Sequence, residues 1–223
     1  MTEQQLAAFP LWYAAFLLSL TCHEASHALV AKWGGDLTAY NSGQVTLNPL
    51  PHIRREPFGT VLVPVIMYLM SGSMLGWASA PYDPSWERRY PKRAALMALA
   101  GPVANFLLAI ASVFLIRFVL RIAIYEAGAA GLQGSIGGGT TQAIFFFLNI
   151  LFRLNLLLGC FNLMPFAPLD GHTAIGLLMP DKTFERWLGF IRSPMISLIG
   201  LLIAWRIMDY IFVPILALFT RLL

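Results

Sequence analysis

Long apolar runs separated by short polar breaks set the pattern of this chain. They fall at residues 9–30, 58–80, 94–120, 141–165 and 194–218. An α-helix rises 1.5 Å per residue, so about 20 apolar residues cross the ~30 Å hydrocarbon layer of a bilayer. The pattern therefore predicts an all-α polytopic membrane protein with about four to six transmembrane or re-entrant helices. Residues 1–223 are expected to form a single membrane-embedded unit.

The run at 58–80 differs from the others because Pro64, Gly72 and Gly76 interrupt it. Basic residues sharpen the reading, since Lys and Arg collect on the cytoplasmic side of a membrane protein. They sit at Lys32, Arg54 and Arg55, at Arg88, Arg89, Lys92 and Arg93, and at Lys182, Arg186 and Arg192. If the second run dips in and returns, all three groups lie inside and roughly four true crossings remain. The N-terminus, the Gly-rich stretch at 128–139 and the C-terminus then lie outside. The rival reading makes run 58–80 a plain fifth span. Residues 182–192 alternate charge with Phe184, Trp187, Leu188, Phe190 and Ile191, as a helix lying at the interface would. Trp77, Trp86 and Tyr90 are expected at the headgroup boundary.

Composition agrees with a lipid solvent. Charged residues make up 12% and hydrophobic ones 58%, with a mean hydropathy of +0.69, whereas soluble domains are about 25% charged. The net charge of +4 does not point to nucleic acid, because the cations occupy short loops beside apolar runs. Cys22 and Cys160 supply neither a disulfide framework nor a thiolate metal cluster. No cleavable signal is evident in residues 1–8, and a prokaryotic cell membrane is the expected location.

The chemistry lies in the first run, at His23-Glu24-Ala25-Ser26-His27. Histidines at i and i+4 share one helix face, so both rings can reach a single Zn²⁺. Glu24 stands where its carboxylate can take a proton from a metal-bound water. An intramembrane Glu beside two His is expensive unless it has a function. A catalytic zinc takes three protein ligands and keeps one position open, so a partner must come from elsewhere. Asp170 is the best candidate, because it follows the fourth run where Pro165, Pro168 and Gly171 break regular helix.

His172 is a weaker candidate ligand, and His52, in a Pro-rich loop, either gates the site or faces solvent. Arg206 and Asp209, at i and i+3 in the last run, are expected to pair, while Arg153 snorkels or pairs with an acid. Topology links the ligand set to the charge pattern. A re-entrant second run puts Asp170 at the inner end of the fourth crossing, on the same side as His27, whereas a fifth span would send it to the far side. A membrane zinc-binding or transport protein is the alternative class, but a transporter needs polar groups along several spans. A helix-binding scaffold without catalysis would not need Glu24.

On these residues the chain resembles the site-2 protease family of intramembrane zinc metalloproteases (peptidase M50), in the short form without a PDZ domain. The match is carried by His23-Glu24-Ala25-Ser26-His27 and by Asn162-Leu163-Met164-Pro165 running into Leu169-Asp170-Gly171. Gly101-Pro102-Val103-Ala104-Asn105 is similar to the family's Gly-Pro-x-x-Asn helix, and Gly76-Trp77-Ala78 to the segment before it. The resemblance reaches to about residue 179. It implies that His23, His27 and Asp170 bind one zinc ion and that Glu24 is the general base. It further implies that Asn162, and with it Asn105, holds substrate or the developing oxyanion; read from the residues alone, both are polar groups bonding across packed helices. The implied substrates are transmembrane proteins or peptides, cut toward the cytoplasmic side. A small β-strand region after the first helix is also implied, with residues 38–47 as its place. Arg54 and Arg55 depart from the acidic residue expected after the loop histidine.

Overall fold

The computed structural model describes residues 3–129 and 139–221. Four helices in it are long and apolar enough to cross a membrane: α1 (Glu3–Trp33), α6 (Pro91–Ala129), α7 (Gly139–Asn162) and α10 (Pro194–Thr220). Between them lie α2 (Thr38–Asn41), α3 (Pro49–Arg55), α4 (Val63–Ser71), α5 (Pro84–Arg89), α8 (Gly171–Ala174) and α9 (Asp181–Ile191). The Gly-rich connection expected at 128–139 falls, at 130–138, outside the described residues.

Small residues let α1 and α6 approach closely. Ala31 on α1 packs with Ala94 and Met97 on α6, all three buried, and interfaces of this kind replace hydrophobic driving force by close packing within lipid. A second core joins α6, α7 and α10 through Val113, Ile116, Phe152, Leu156, Ala204 and Met208. Trp86 is not the boundary anchor its type suggests. It is buried and its indole N–H donates to the Gly34 carbonyl (3.0 Å), alongside the Arg93 guanidinium (3.0 Å), closing the C-terminal end of α1.

The second apolar run turns back. A wide π-turn at Phe58–Leu62 leads into α4, and Phe58–Ser71 measures only about 21 Å at helical rise, short of a full crossing. Gly72, at φ 73°, ends the helix in the left-handed region that suits glycine. Tyr68 donates its hydroxyl to the Gln5 carbonyl (2.6 Å), so α4 climbs toward the start of α1. The chain then returns without helix: Trp77 N–H donates to the Gly59 carbonyl (3.1 Å), and Asp83 N–H to Asp36 Oδ2 (2.9 Å) near the end of α1. Gly76 lies so close to the Gly59 carbonyl that no side chain fits there. This parity places the end of α1, the start of α6, the end of α7 and the start of α10 together at the end of the bundle that carries the basic loops.

Residues 38–47 do not form the expected strand, and there is no strand among the described residues. Asp36 Oδ1 accepts from the Thr38 N–H (2.9 Å) and hydroxyl (2.6 Å), an Asx-turn that leads into α2 instead. Gly43, at φ 69°, reverses the chain, and Asn48 Oδ1 caps α3 through the Leu50 N–H (3.0 Å). A lone extended segment here would lack the partner that satisfies its backbone, whereas local caps satisfy it at once. Arg206 and Asp209 form no ion pair, and both are exposed on α10, as Arg153 is on α7. Helix α9 tucks Phe184 and Ile191 under the bundle and leaves Phe190 exposed, in keeping with its amphipathic sequence.

Candidate metal centre

His23, Glu24 and His27 are buried on α1, and the two imidazoles meet edge to face with centroids 4.6 Å apart. Their Nε2 atoms lie 3.0 Å from each other. Asp170 Oδ2 arrives from the other end of the chain, 3.0 Å from His23 Nε2 and 3.4 Å from His27 Nε2. The three residues could hold one metal ion.

The far side of each ring decides what faces the centre. His27 Nδ1 is 2.7 Å from the Met97 carbonyl, which can only accept, so Nδ1 carries the proton. His23 Nδ1 is 2.6 Å from Asn105 Oδ1. That amide is oriented in turn, because Asn105 Nδ2 donates to Asn155 Oδ1 (2.8 Å) and Asn155 Nδ2 donates to the Ser19 hydroxyl (2.8 Å). A neutral ring held in either place presents its lone pair at Nε2, and Asp170 Oδ2 is buried without a hydrogen-bond partner. Three electron-pair donors then converge on one point. A cation is the missing partner, and two imidazoles with one carboxylate are a donor set that Zn²⁺ accepts.

Helix α6 is shaped to this purpose one turn at a time. Met97 anchors His27, Asn105 anchors His23, and Gly101 between them has no side chain. A Cβ on Gly101 would stand 2.6 Å from His23 Nε2 and would collide with His27 Nε2 as well. Asp170 is brought in by a tightly wound turn after α7: Phe166 N–H donates to the Met164 carbonyl (2.8 Å) and Leu169 N–H to that of Phe166 (2.8 Å). Gly171 packs against the Leu163 and Met164 carbonyls with no room for a Cβ.

The centre opens on a cavity of about 620 Å³ whose wall includes Glu24, Trp77, Ala98, Asn162 and Asp170. Glu24 and Asn162 thus share the cavity with the His-His-Asp cluster. Asn105, expected with Asn162 to hold substrate or the developing oxyanion, is fully buried behind His23, and both ends of its amide are engaged by protein groups. His172 has no free lone pair for a metal. Its Nδ1–H donates to the Leu169 carbonyl (2.6 Å), and Nε2 accepts from Arg192 Nε (2.9 Å). Burial holds its pKa below the ordinary value, which keeps the ring neutral. His52 neither faces solvent nor lines the cavity; it is buried, and its Nε2 bonds the Thr46 carbonyl (3.1 Å).

Sequence reasoning missed Ser19 and Asn155. The one available signal is position: Ser19 precedes His23 by one turn on the same face, and Asn155 is a lone amide in a run of leucines. The Glu87–Arg192 pair, also in the cavity wall, was missed as well.

The family model for peptidase family M50 matches residues 12–203. Three similar proteins each bear the name putative zinc metalloprotease. YwhC of Bacillus subtilis is 35% identical over 176 residues, covering 78% of this chain and 72% of the relative. Rip2 of Mycolicibacterium smegmatis is 29% identical over 170 residues, 76% of this chain and 58% of the relative. Rip2 of Mycobacterium tuberculosis is 30% identical over 179 residues, 78% of this chain and 60% of the relative. The chain thus spans less than two thirds of either Rip2. No solved structure matches it.

Proposed function

The chain belongs to peptidase family M50 and is a multi-pass membrane protein, and on that premise we propose that it is an intramembrane zinc protease of the site-2 type. Its substrates are transmembrane segments of other proteins or peptides. One observation carries the reading: the two Nε2 lone pairs and the Asp170 carboxylate oxygen converge within 3.4 Å, beside a buried Glu, in the wall of an open cavity.

His23, His27 and Asp170 hold the metal. Zinc, when bound, supplies a Lewis acid and lowers the pKa of a bound water toward neutrality. Glu24 takes the proton from the attacking water and returns it to the leaving amine, a general-base and general-acid role in one residue. Asn162, on the cavity wall, holds the substrate backbone. A helical substrate must unwind locally before its carbonyl can reach the centre, because its own hydrogen bonds and side chains shield it. Helix-breaking residues near the cut are therefore favoured. The Asp170 end of the bundle is cytoplasmic and the N-terminus outside in this reading, which the basic loops support.

The test uses purified protein reconstituted with a panel of single-span peptides. Wild type is expected to cleave some of them, and Glu24→Gln to keep its metal while losing activity by about 10²–10⁴-fold. Full activity in Glu24→Gln contradicts the mechanism, and no cleavage by zinc-loaded wild type of any helix-destabilised peptide contradicts the function.

A further inference from the structure

The Asp170 carboxylate has no hydrogen bond of its own at Oδ2 to hold it in place. Its position is therefore set by the backbone of the arm that carries it, residues 163–174. Immediately after Asp170, Gly171 packs against the Leu163 and Met164 carbonyls. Beyond it, the arm is tied to a different part of the molecule chiefly by one side chain.

That side chain is Arg192, at the junction of α9 and α10. Its Nε donates to His172 Nε2 (2.9 Å), Nη2 donates to Thr173 Oγ1 (3.1 Å) and to Glu87 Oε1 (2.7 Å), and Nη1 donates to Glu87 Oε2 (2.8 Å). The bidentate fork fixes the guanidinium in direction as well as place. Glu87, on α5, is buried, so the pair is anchored to the segment that leads into α6. Trp187 on α9 adds a second tie, its indole N–H donating to the His172 carbonyl (2.7 Å). Only Gly171 separates Asp170 from the nearest of these contacts, at His172, and the Thr173 N–H returns to the Asp170 carbonyl (3.0 Å).

We propose that Arg192, locked by Glu87, is a positioning residue for the metal centre: through His172 and Thr173 it holds the Asp170 arm at the distance from His23 and His27 that a single ion requires. The inference rests on the metal-centre reading above. It assigns a function to a cluster that donates no ligand to the ion. It also joins the α9–α10 junction to the ligand geometry, so that displacement of that junction loosens the third ligand and leaves the two histidines in place.

The experiment is a cobalt(II) titration of metal-stripped full-length protein in detergent, read by competition with a chelator and by the visible absorption of the bound ion. Outer-shell partners typically contribute 10–100-fold to metal affinity, and Arg192→Met is expected to weaken cobalt binding by about that factor and to change the absorption envelope. Arg192→Lys, which keeps the charge but not the fork, should fall between Arg192→Met and wild type. Trp187→Phe, which loses one bond to the same arm, should show a smaller shift in the same direction and serves if Arg192→Met fails to fold. Lys92→Met provides the contrast. Lys92 donates to the Gly176 and Leu177 carbonyls (2.8 and 3.3 Å) and to that of Met179, beyond the arm, so its loss should lower thermal stability and leave cobalt affinity and spectrum unchanged. The proposal is overturned if the Arg192 variants that fold, or Trp187→Phe in their place, bind cobalt as wild type does, or if Lys92→Met weakens binding as much. Wild type that binds neither cobalt nor zinc overturns the metal-centre reading itself.

Discussion

Two histidine-carboxylate clusters line the same cavity, and they differ in whether their hydrogen bonds close. Around His172, every polar group has a partner of opposite kind: the ring donates to Leu169, accepts from Arg192, and Arg192 is matched by both oxygens of Glu87. Around His23 and His27 the rings donate outward, to Asn105 and Met97, and their inward lone pairs face a carboxylate. The first cluster is complete as protein. The second needs a cation. What separates a structural histidine from a ligand here is what meets its Nε2 lone pair, since Nδ1 donates outward in each ring: a guanidinium donor at His172, and only further acceptors at His23 and His27.

The difference is broken most severely at the open cluster. Asp170→Asn or His27→Ala removes one of three donors, and each is expected to abolish stoichiometric zinc binding and with it peptide cleavage, measured by metal analysis of the purified variant. Gly101→Ala should come next. The new methyl would occupy space 2.6 Å from His23 Nε2, and with α6 already packed on α1 through small residues, the rings must move, so zinc content should fall well below one per chain. Asn105→Ala leaves the ring in place but removes its orienting acceptor. Metal affinity should drop by about 10–100-fold, and thermal unfolding should register a loss of about 1–3 kcal/mol from the unpaired Asn155 amide and His23 N–H. The smallest effect is expected at the closed cluster: His172→Ala should retain one metal ion per chain, with affinity lowered by no more than about tenfold. Loss of stoichiometric metal in His172→Ala, with retention in His27→Ala, would reverse the assignment of the two clusters.

The sequence makes some of this legible for identifiable reasons. His23, Glu24 and His27 declare themselves by spacing, because the i and i+4 interval stacks two rings on one helix face. The return of the second run is legible in Pro64, Gly72 and Gly76, since Gly72 ends the helix and Gly76 admits the Gly59 carbonyl. Residues 38–47 mislead because their alternation is a weak signal beside the Asx-turn that Asp36 forms just before them. Arg206 and Asp209 show that i and i+3 spacing permits an ion pair without forming one. Contacts such as Arg192 with Glu87, 105 residues apart, and Asn155 with Ser19, 136 residues apart, are not written in local pattern. They follow from how helices far apart in the chain pack, which periodicity can predict as helices but cannot align in register.

The central claim is that one divalent ion is shared by His23, His27 and Asp170. Zinc K-edge absorption spectroscopy on the purified protein tests it most directly. The account predicts one zinc per chain with two imidazole nitrogens and carboxylate oxygen at about 2.0–2.2 Å, and no zinc signal in Asp170→Asn. A coordination shell containing a single imidazole, or zinc bound undiminished by Asp170→Asn, would contradict it.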